Sequence, residues 1–324
     1  MSHAIVIHAP GGPEVLCYEP VTVGAPGAGD VRIEQTAIGI NFHDIYVRTG
    51  LYRTLAYPGI PGVEAAGVVV AVGSGVASVK PGDRVAYVSQ SYGAYASERL
   101  IAADLLVPIP ALVDDRTAAG TLTRGLTVLM LTEQTHRIRA GDRVLVHAAA
   151  GGVGQLLCQY LRHLGAIVIG TVGSEAKAAV ARACGCAEVI DYRRESFVDR
   201  VRALTGGKGV DVAYDSVGKD TFLGSLESLA VFGHLVNFGQ SSGAVDPFPV
   251  ALLSRKSNSV SRPLLFHYIA ETVARRRMAA ALFGAIARGA MKPSAVQAFS
   301  LRDAGRAHQA FEARRMTAVP VLVP

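Results

Sequence analysis

Gly151, Gly152 and Gly154 stand close together after the apolar run Val144-Leu145-Val146 and the small residues Ala148-Ala149-Ala150. Residues 149–154 fit the dinucleotide fingerprint, with Ala149 in place of its first glycine. Small residues at this spacing let a backbone turn approach a pyrophosphate. A helix starting there aims unpaired N–H groups and the positive end of its dipole at the same charge. The context fits: residues 144–146 read as a strand buried on both faces, and 155–164 carry apolar residues at helical spacing up to Gly165. Dinucleotide binding is the expected chemistry.

The next strand decides which dinucleotide. An acid about 20 residues past the glycines grips the ribose 2′-hydroxyl in NAD-type folds. Here the segment is Thr171-Val172-Gly173-Ser174-Glu175-Ala176-Lys177, with Gly173 where the acid would be. Glu175 is displaced toward the first turn of the next helix, a position favoured by the helix dipole. Lys177 would attract a 2′-phosphate and Ser174 can donate to it, so NADPH is expected over NADH. Other chemistry is weakly signalled. The nine histidines lack ligand spacing, and Cys184 and Cys186 have no second ligand pair nearby, so no metal site is expected.

These residues need elements to hold them. Residues 4–9, 17–23, 31–40 and 63–72 read as strands, with a further strand over 84–88, and Gly- and Pro-rich turns recur about every ten residues. Residues 41–49 are irregular and hold Asn41, His43, Asp44, Tyr46 and Arg48. The first hundred residues are thus all-β in character, which suggests a barrel-like domain. Residues 116–136 are helical by periodicity, and strand and helix alternate from there. Strands are expected at 143–147, 166–172, 188–191, 210–216 and 234–238, and helices at 155–164, 175–183, 196–204 and 221–230. Such βα units build an open parallel sheet, expected in the order 3-2-1-4-5-6. A long helix over 269–288 follows, then a strand, helix and strand at 296–300, 303–315 and 319–323 that return to the first domain.

With 324 residues the chain can form two domains with proper cores. No apolar run approaches the roughly 18–20 residues that span a bilayer, and Met1-Ser2-His3-Ala4 leads into a strand-like segment without a signal core. Four scattered cysteines suggest a reducing compartment, so a cytoplasmic location without membrane contact is expected. The formal charge of +6 allows an anionic partner, but the basic residues are dispersed and show no aromatic interleaving of the single-strand-binding kind. A phosphorylated cofactor accounts for part of the surplus, and nucleic acid is not expected as the main partner.

Six motifs carry a family resemblance. They are Pro10-Gly11-Gly12-Pro13-Glu14-Val15-Leu16, Ala37-Ile38-Gly39-Ile40-Asn41-Phe42, Gly73-Ser74-Gly75-Val76, Ala148 to Gly154, Tyr214-Asp215-Ser216-Val217-Gly218 and Phe238-Gly239-Gln240-Ser241-Ser242-Gly243. Over its whole length the chain resembles the NADPH:quinone oxidoreductases, the zeta-crystallin-like, zinc-free branch of the medium-chain dehydrogenase/reductase superfamily. The resemblance implies an α/β protein: a GroES-like β-barrel catalytic domain (residues 1–122 with 268–324) and a Rossmann domain (123–267), a doubly wound parallel sheet. It also implies a cleft between them and a homodimer. Cofactor contacts are implied at Asn41, Phe42, Thr127, Gly151, Gly152, Val153, Gly173, Ser174, Lys177, Tyr192, Ser216, Phe238, Gly239, Ser241 and Arg314. Lys177, Tyr192 and Arg314 would surround the 2′-phosphate, and Leu264-Leu265-Phe266 would pass near the nicotinamide.

Zinc-bearing members of the superfamily place a Cys at the position of Asn41 and a His at that of Val63, just before Glu64, so no catalytic zinc is implied. Their four-cysteine lobe is also missing, since no cysteine falls between Cys17 and Cys158, so no structural zinc is implied either. Without a Lewis acid the acceptor must already be electron-poor. A quinone is the expected substrate. An α,β-unsaturated carbonyl is the alternative, and an RNA-binding or structural crystallin-like role a more distant one. Asn41 and Tyr46, with Tyr52 behind them, are the candidate donors to the acceptor oxygen.

Overall fold

The structure, a computed structural model, describes residues 2–314 and 316–324. Met1 and Arg315, the latter expected to end the last helix, lie outside them. The strands are Ser2–Val6 (β1), Cys17–Val21 (β2), Asp30–Gly39 (β3), Glu64–Val72 (β4), Arg84–Val88 (β5), Glu98–Ala102 (β6), Leu106–Pro108 (β7), Arg143–Val146 (β8), Ile167–Val172 (β9), Glu188–Asp191 (β10), Val210–Asp215 (β11), Leu229–Asn237 (β12), Ser259–Ser261 (β13), Val296–Ser300 (β14) and Val319–Val323 (β15). The helices are Phe42–Arg48 (α1), Asp115–Leu129 (α2), Gly152–His163 (α3), Glu175–Ala183 (α4), Phe197–Leu204 (α5), Phe222–Ser228 (α6), Leu265–Tyr268 (α7), Thr272–Ala287 (α8) and Ala304–Glu312 (α9). None is long and apolar enough to cross a membrane among the described residues.

Two compact units form. The first takes Met1–Thr123, Ile269–Phe283 and Pro293–Pro324; the second takes Arg124–Tyr268 and Gly284–Lys292. Residues 284–292 were expected with the first domain. They cluster with the second, where Gln159 on α3 clasps Lys292: its Oε1 accepts from the Lys292 N–H at 2.7 Å and its Nε2 donates to the carbonyl at 3.3 Å.

In the first unit β3 is the hub. Its first half pairs with β6, its end with β15, and its other edge with β4 over nearly its whole length. Register shifts after Arg32 and after Gln35 bend the sheet, as bulges do. Inward side chains of these strands, among them Ile33, Ile38, Val85, Tyr87 and Leu322, form one core. The final strands β14 and β15 run parallel and join this sheet.

The second unit is a six-stranded parallel sheet in the order β10-β9-β8-β11-β12-β13, which is the expected 3-2-1-4-5-6. Leu145, Ile169, Ala213 and Leu235 of its central strands pack with Val201, Phe222 and Leu226 of the flanking helices. Cys158 and Cys186 meet behind α3 with sulfurs 3.4 Å apart; they and Cys184 are buried, while Cys17 is exposed. The hydrogen bond from Cys186 and burial together push the Cys158 thiol well up.

Among the departures from expectation, four stand out. Residues 41–49 are not irregular: they form α1, so the first hundred residues are not all-β. The expected helix 155–164 starts three residues earlier, because Gly152 and Gly154 lie in its first turn. Helix α6 ends at Ser228 and Leu229 already belongs to β12. Residues 230–233 bulge out between the pairs Val210↔Leu229 and Val212↔His234, with Phe232 at φ +65°. The long helix begins only at Thr272, with the single turn α7 before it.

Candidate active site

The expected residues fall into two groups, one in each unit. In the second unit, the connection from β8 to α3 is pinned from both neighbouring strands. The His147 N–H donates to the Tyr214 carbonyl on β11, and the Ala149 N–H to that of Thr171 on β9, both at 3.1 Å. Ala148 takes φ +52° to make the turn. His147 is buried between the Thr171 hydroxyl at 2.9 Å and the Ser225 hydroxyl at 2.8 Å, and burial pushes its pKa down. The turn therefore sits on a neutral, hydrogen-bonded imidazole. Gly151 caps α3, and the first N–H groups of a helix, here those of Gly152 and Val153, have no partner within it. A Cβ on Gly154 would strike the Ala148 carbonyl oxygen and lie 2.8 Å from that of Ala149. Only glycine lets the helix start pack this closely on the turn, and the N–H groups left free there suit a pyrophosphate.

Gly173, Ser174, Lys177 and Tyr192 come together beyond β9. Parallel pairing of Asp191 with Val172, continued by the Tyr192 N–H to the Val172 carbonyl at 3.1 Å, sets Tyr192 beside Gly173. A Cβ on Gly173 would be 2.5 Å from the Tyr192 hydroxyl. Ser174 caps α4, its Oγ accepting from the Lys177 N–H at 3.4 Å. Ser216, Phe238, Gly239 and Ser241 gather at the carboxyl ends of β11 and β12. The Phe238 N–H donates to the Asp215 carbonyl at 2.9 Å, the Ser241 N–H to that of Ser216 at 3.2 Å, and Gly239 lies too close to Ser216 for a side chain. Arg262, not singled out from sequence, braces this loop by donating to the Gly239 carbonyl at 2.8 Å. Thr127 is half-buried on α2, Leu264 immediately precedes α7, and Leu265 and Phe266 open it.

In the first unit Asn41, Phe42, Tyr46 and Tyr52 lie on α1 and the turn after it. Asn41 precedes the helix in an extended conformation, and its N–H donates to Asp44 Oδ2 at 2.7 Å. Its side-chain Nδ2 is buried and has no hydrogen-bond partner among the described residues. The Tyr52 N–H donates to the Tyr46 carbonyl at 2.9 Å, and the two rings meet edge-on with centroids 5.1 Å apart. Phe42 packs on Phe311, and Arg314 follows Phe311 at the end of α9, in this unit.

Sequence reasoning passed over two groups of supporting residues. His43 is set edge-on to Tyr52 and hydrogen-bonds the Tyr92 hydroxyl at 3.1 Å, which in turn meets Thr54 Oγ1 at 2.5 Å. Burial pushes the His43 pKa down to about 4, so the ring is neutral at pH 7. Deeper, Arg48 forms a two-pronged ion pair with Glu312, 2.8 Å on each arm, and its Nη1 donates to His308 Nδ1 at 3.2 Å. Arginine has only donors, so Nδ1 accepts and Nε2 of the neutral ring carries the proton. Burial and the Arg48 charge hold His308 down at about 3. His308 Nε2 then donates to the Tyr95 oxygen at 2.8 Å, and Tyr95 donates to Asp44 Oδ2 at 3.3 Å, the same atom that holds the Asn41 backbone. This buried chain links α9 to the start of α1. The only sequence signal for it was an acid three residues after Asn41, a capping pattern.

Metal ligands do not converge. Among the described residues no three His, Cys, Asp or Glu side chains are grouped as metal ligands. Glu64, beside Val63, is fully buried and accepts from the Thr123 N–H at 2.6 Å.

Comparison with known proteins gives consistent relationships. A family model described as an alcohol dehydrogenase GroES-like domain matches residues 27–111, and one described as a zinc-binding dehydrogenase matches 152–290. The chain is 43% identical to quinone oxidoreductase 1 of Escherichia coli over 100% of both proteins. It is also 43% identical to a 2-haloacrylate reductase of a Burkholderia species, over 100% of this chain and 99% of that protein. The crystal structure of E. coli quinone oxidoreductase complexed with NADPH superposes with a TM-score of 0.96 at 43% identity, covering 99% of this chain and 100% of that one.

Proposed function

The chain belongs to the quinone oxidoreductases, an oxidoreductase family of the medium-chain dehydrogenase/reductase superfamily, and from that premise we propose that it reduces quinones with NADPH and without zinc. The observation that carries the proposal is the unpartnered, buried Nδ2 of Asn41, which caps the short helix that carries Tyr46. A buried donor left without an acceptor costs about 1–3 kcal/mol, and a bound carbonyl oxygen would satisfy it. NADPH, when bound, supplies the hydride. The chain's part is to hold and neutralise. Gly151, Gly152 and Val153 offer open backbone to the pyrophosphate. Gly173 leaves out the acid that would repel a 2′-phosphate, and Ser174, Lys177 and Tyr192 line that place.

Hydride addition leaves negative charge on the acceptor oxygen. Asn41, Tyr46 and Tyr52 donate hydrogen bonds to it, and solvent restores the proton. Such donors stabilise developing charge but supply less than a metal ion does, so the acceptor must be electron-poor. The residue makeup at Asn41 and Val63 supports the zinc-free reading; a cytoplasmic location and a homodimer are proposed separately, from the resemblance to the family and the scattered cysteines. One relative is named for reducing a haloacrylate, and that favours α,β-unsaturated carbonyls as the second reading.

The test is turnover of quinones and enones followed by NADPH absorbance, with parallel titrations of NADPH and NADH. Lys177→Ala should weaken NADPH and leave NADH nearly unchanged; equal losses would remove Lys177 from the 2′-phosphate. Robust oxidation of simple alcohols, or inactivity on every quinone and enone, would overturn the assignment.

A further inference from the structure

We infer that Arg193 is a second cation for the 2′-phosphate, folded over the place where an NAD-type acid would sit; the inference rests on the NADPH reading above. The β9–β10 register that brings Tyr192 to Gly173 brings the next residue as well. Arg193 Nε lies 3.4 Å from where a Cβ on Gly173 would be, so part of its side chain passes over the glycine while the residue stays exposed to solvent. Asp191 fixes this arrangement. Its Oδ1 accepts from the Arg193 N–H at 3.1 Å, while its Oδ2 pairs with the Arg194 side chain at 3.6 Å. One carboxylate therefore anchors the Arg193 backbone and spends its charge on the neighbour.

Other arginines of α4 and α5 are paired too: Arg182 with Glu175 at 3.1 Å and Arg200 with Glu188 at 3.6 Å. The Arg193 guanidinium has no ion pair among the described residues. The carboxylates of Asp191 and Glu175 are engaged with other arginines. The result is an uncompensated planar cation beside the Ser174 cap and Lys177. A guanidinium binds a phosphate through two parallel N–H···O bonds, whereas a ribose hydroxyl offers it no charge. The geometry thus discriminates NADPH from NADH by attraction at Arg193, in addition to the missing acid at position 173.

The experiment measures affinities of the full-length protein for NADPH, NADH and adenosine 2′,5′-bisphosphate by calorimetry, for wild type, Arg193→Ala and Arg193→Lys. Loss of a charged hydrogen-bonding partner predicts about a tenfold weaker Kd for NADPH and the bisphosphate in Arg193→Ala. NADH affinity should stay within about twofold, and Arg193→Lys should recover part of the loss. Unchanged NADPH affinity, or equal losses for NADPH and NADH, would show that Arg193 is only a solvated surface cation. A wild-type protein that binds NADH as well as NADPH and ignores the bisphosphate would instead sink the cofactor reading itself. Unfolding temperatures of the variants, expected to match wild type, separate a local effect from a folding defect.

Discussion

Tyr46 and His43 stand three residues apart on α1 and predict opposite things about acid–base dependence. Tyr46→Phe keeps the ring packing against Tyr52 and removes one neutral donor, which is worth about 0.5–1.5 kcal/mol. Turnover with a quinone should therefore fall by no more than about tenfold. The kinetics of the purified variant check this, and complete loss would mean that Tyr46 delivers the proton itself. His43, held near pKa 4 by burial, is already neutral at pH 5.5 and remains so on the alkaline side. No change of its charge falls in the working range, so kcat/KM for wild type should vary little between pH 5.5 and 8. A sharp acid limb near pH 6.5 would show an imidazole of ordinary pKa at work.

At the scale of elements, the turn into α3 is the least forgiving. A methyl at position 154 would press on the carbonyls of Ala148 and Ala149, which are backbone and cannot swing aside. Gly154→Ala should cost about 1–3 kcal/mol of strain and weaken NADPH binding by moving the helix start, visible as a lower melting temperature and a higher Kd. This element was legible because its glycines, strand and helix are contiguous in sequence. The strand order was legible for a similar reason, since right-handed βα units leave few arrangements. Helix α1 was not. Its seven residues include aromatic and β-branched types, and its stability comes from the Asp44 cap and from the buried chain through Tyr95 and His308, which is 260 residues from Arg48 in sequence. The end of α6 was missed because Leu229, Ala230 and Val231 continue a helical pattern that pairing with Val210 overrides. Arg193 was invisible for the same cause: its place beside Gly173 is set by register, not by spacing.

For the whole molecule, the reaction without a Lewis acid predicts full quinone reductase activity after dialysis against a strong chelator, measured beside metal content; activity that returns only with added zinc would reverse the zinc-free reading. The buried thiols make a different quantity measurable. Cys17 is exposed and should be alkylated at once by a small reagent, whereas Cys158, Cys184 and Cys186 are buried in the second unit. Their labelling must wait until the second unit opens, so in limiting reagent conditions its rate reads the free energy of that opening. A ligand that binds only the closed unit lowers the open population by a factor of 1 + [L]/Kd. Mass spectrometry should therefore show NADPH slowing three modifications in step while the fourth proceeds unchanged, giving the cofactor's affinity with no substrate and no turnover.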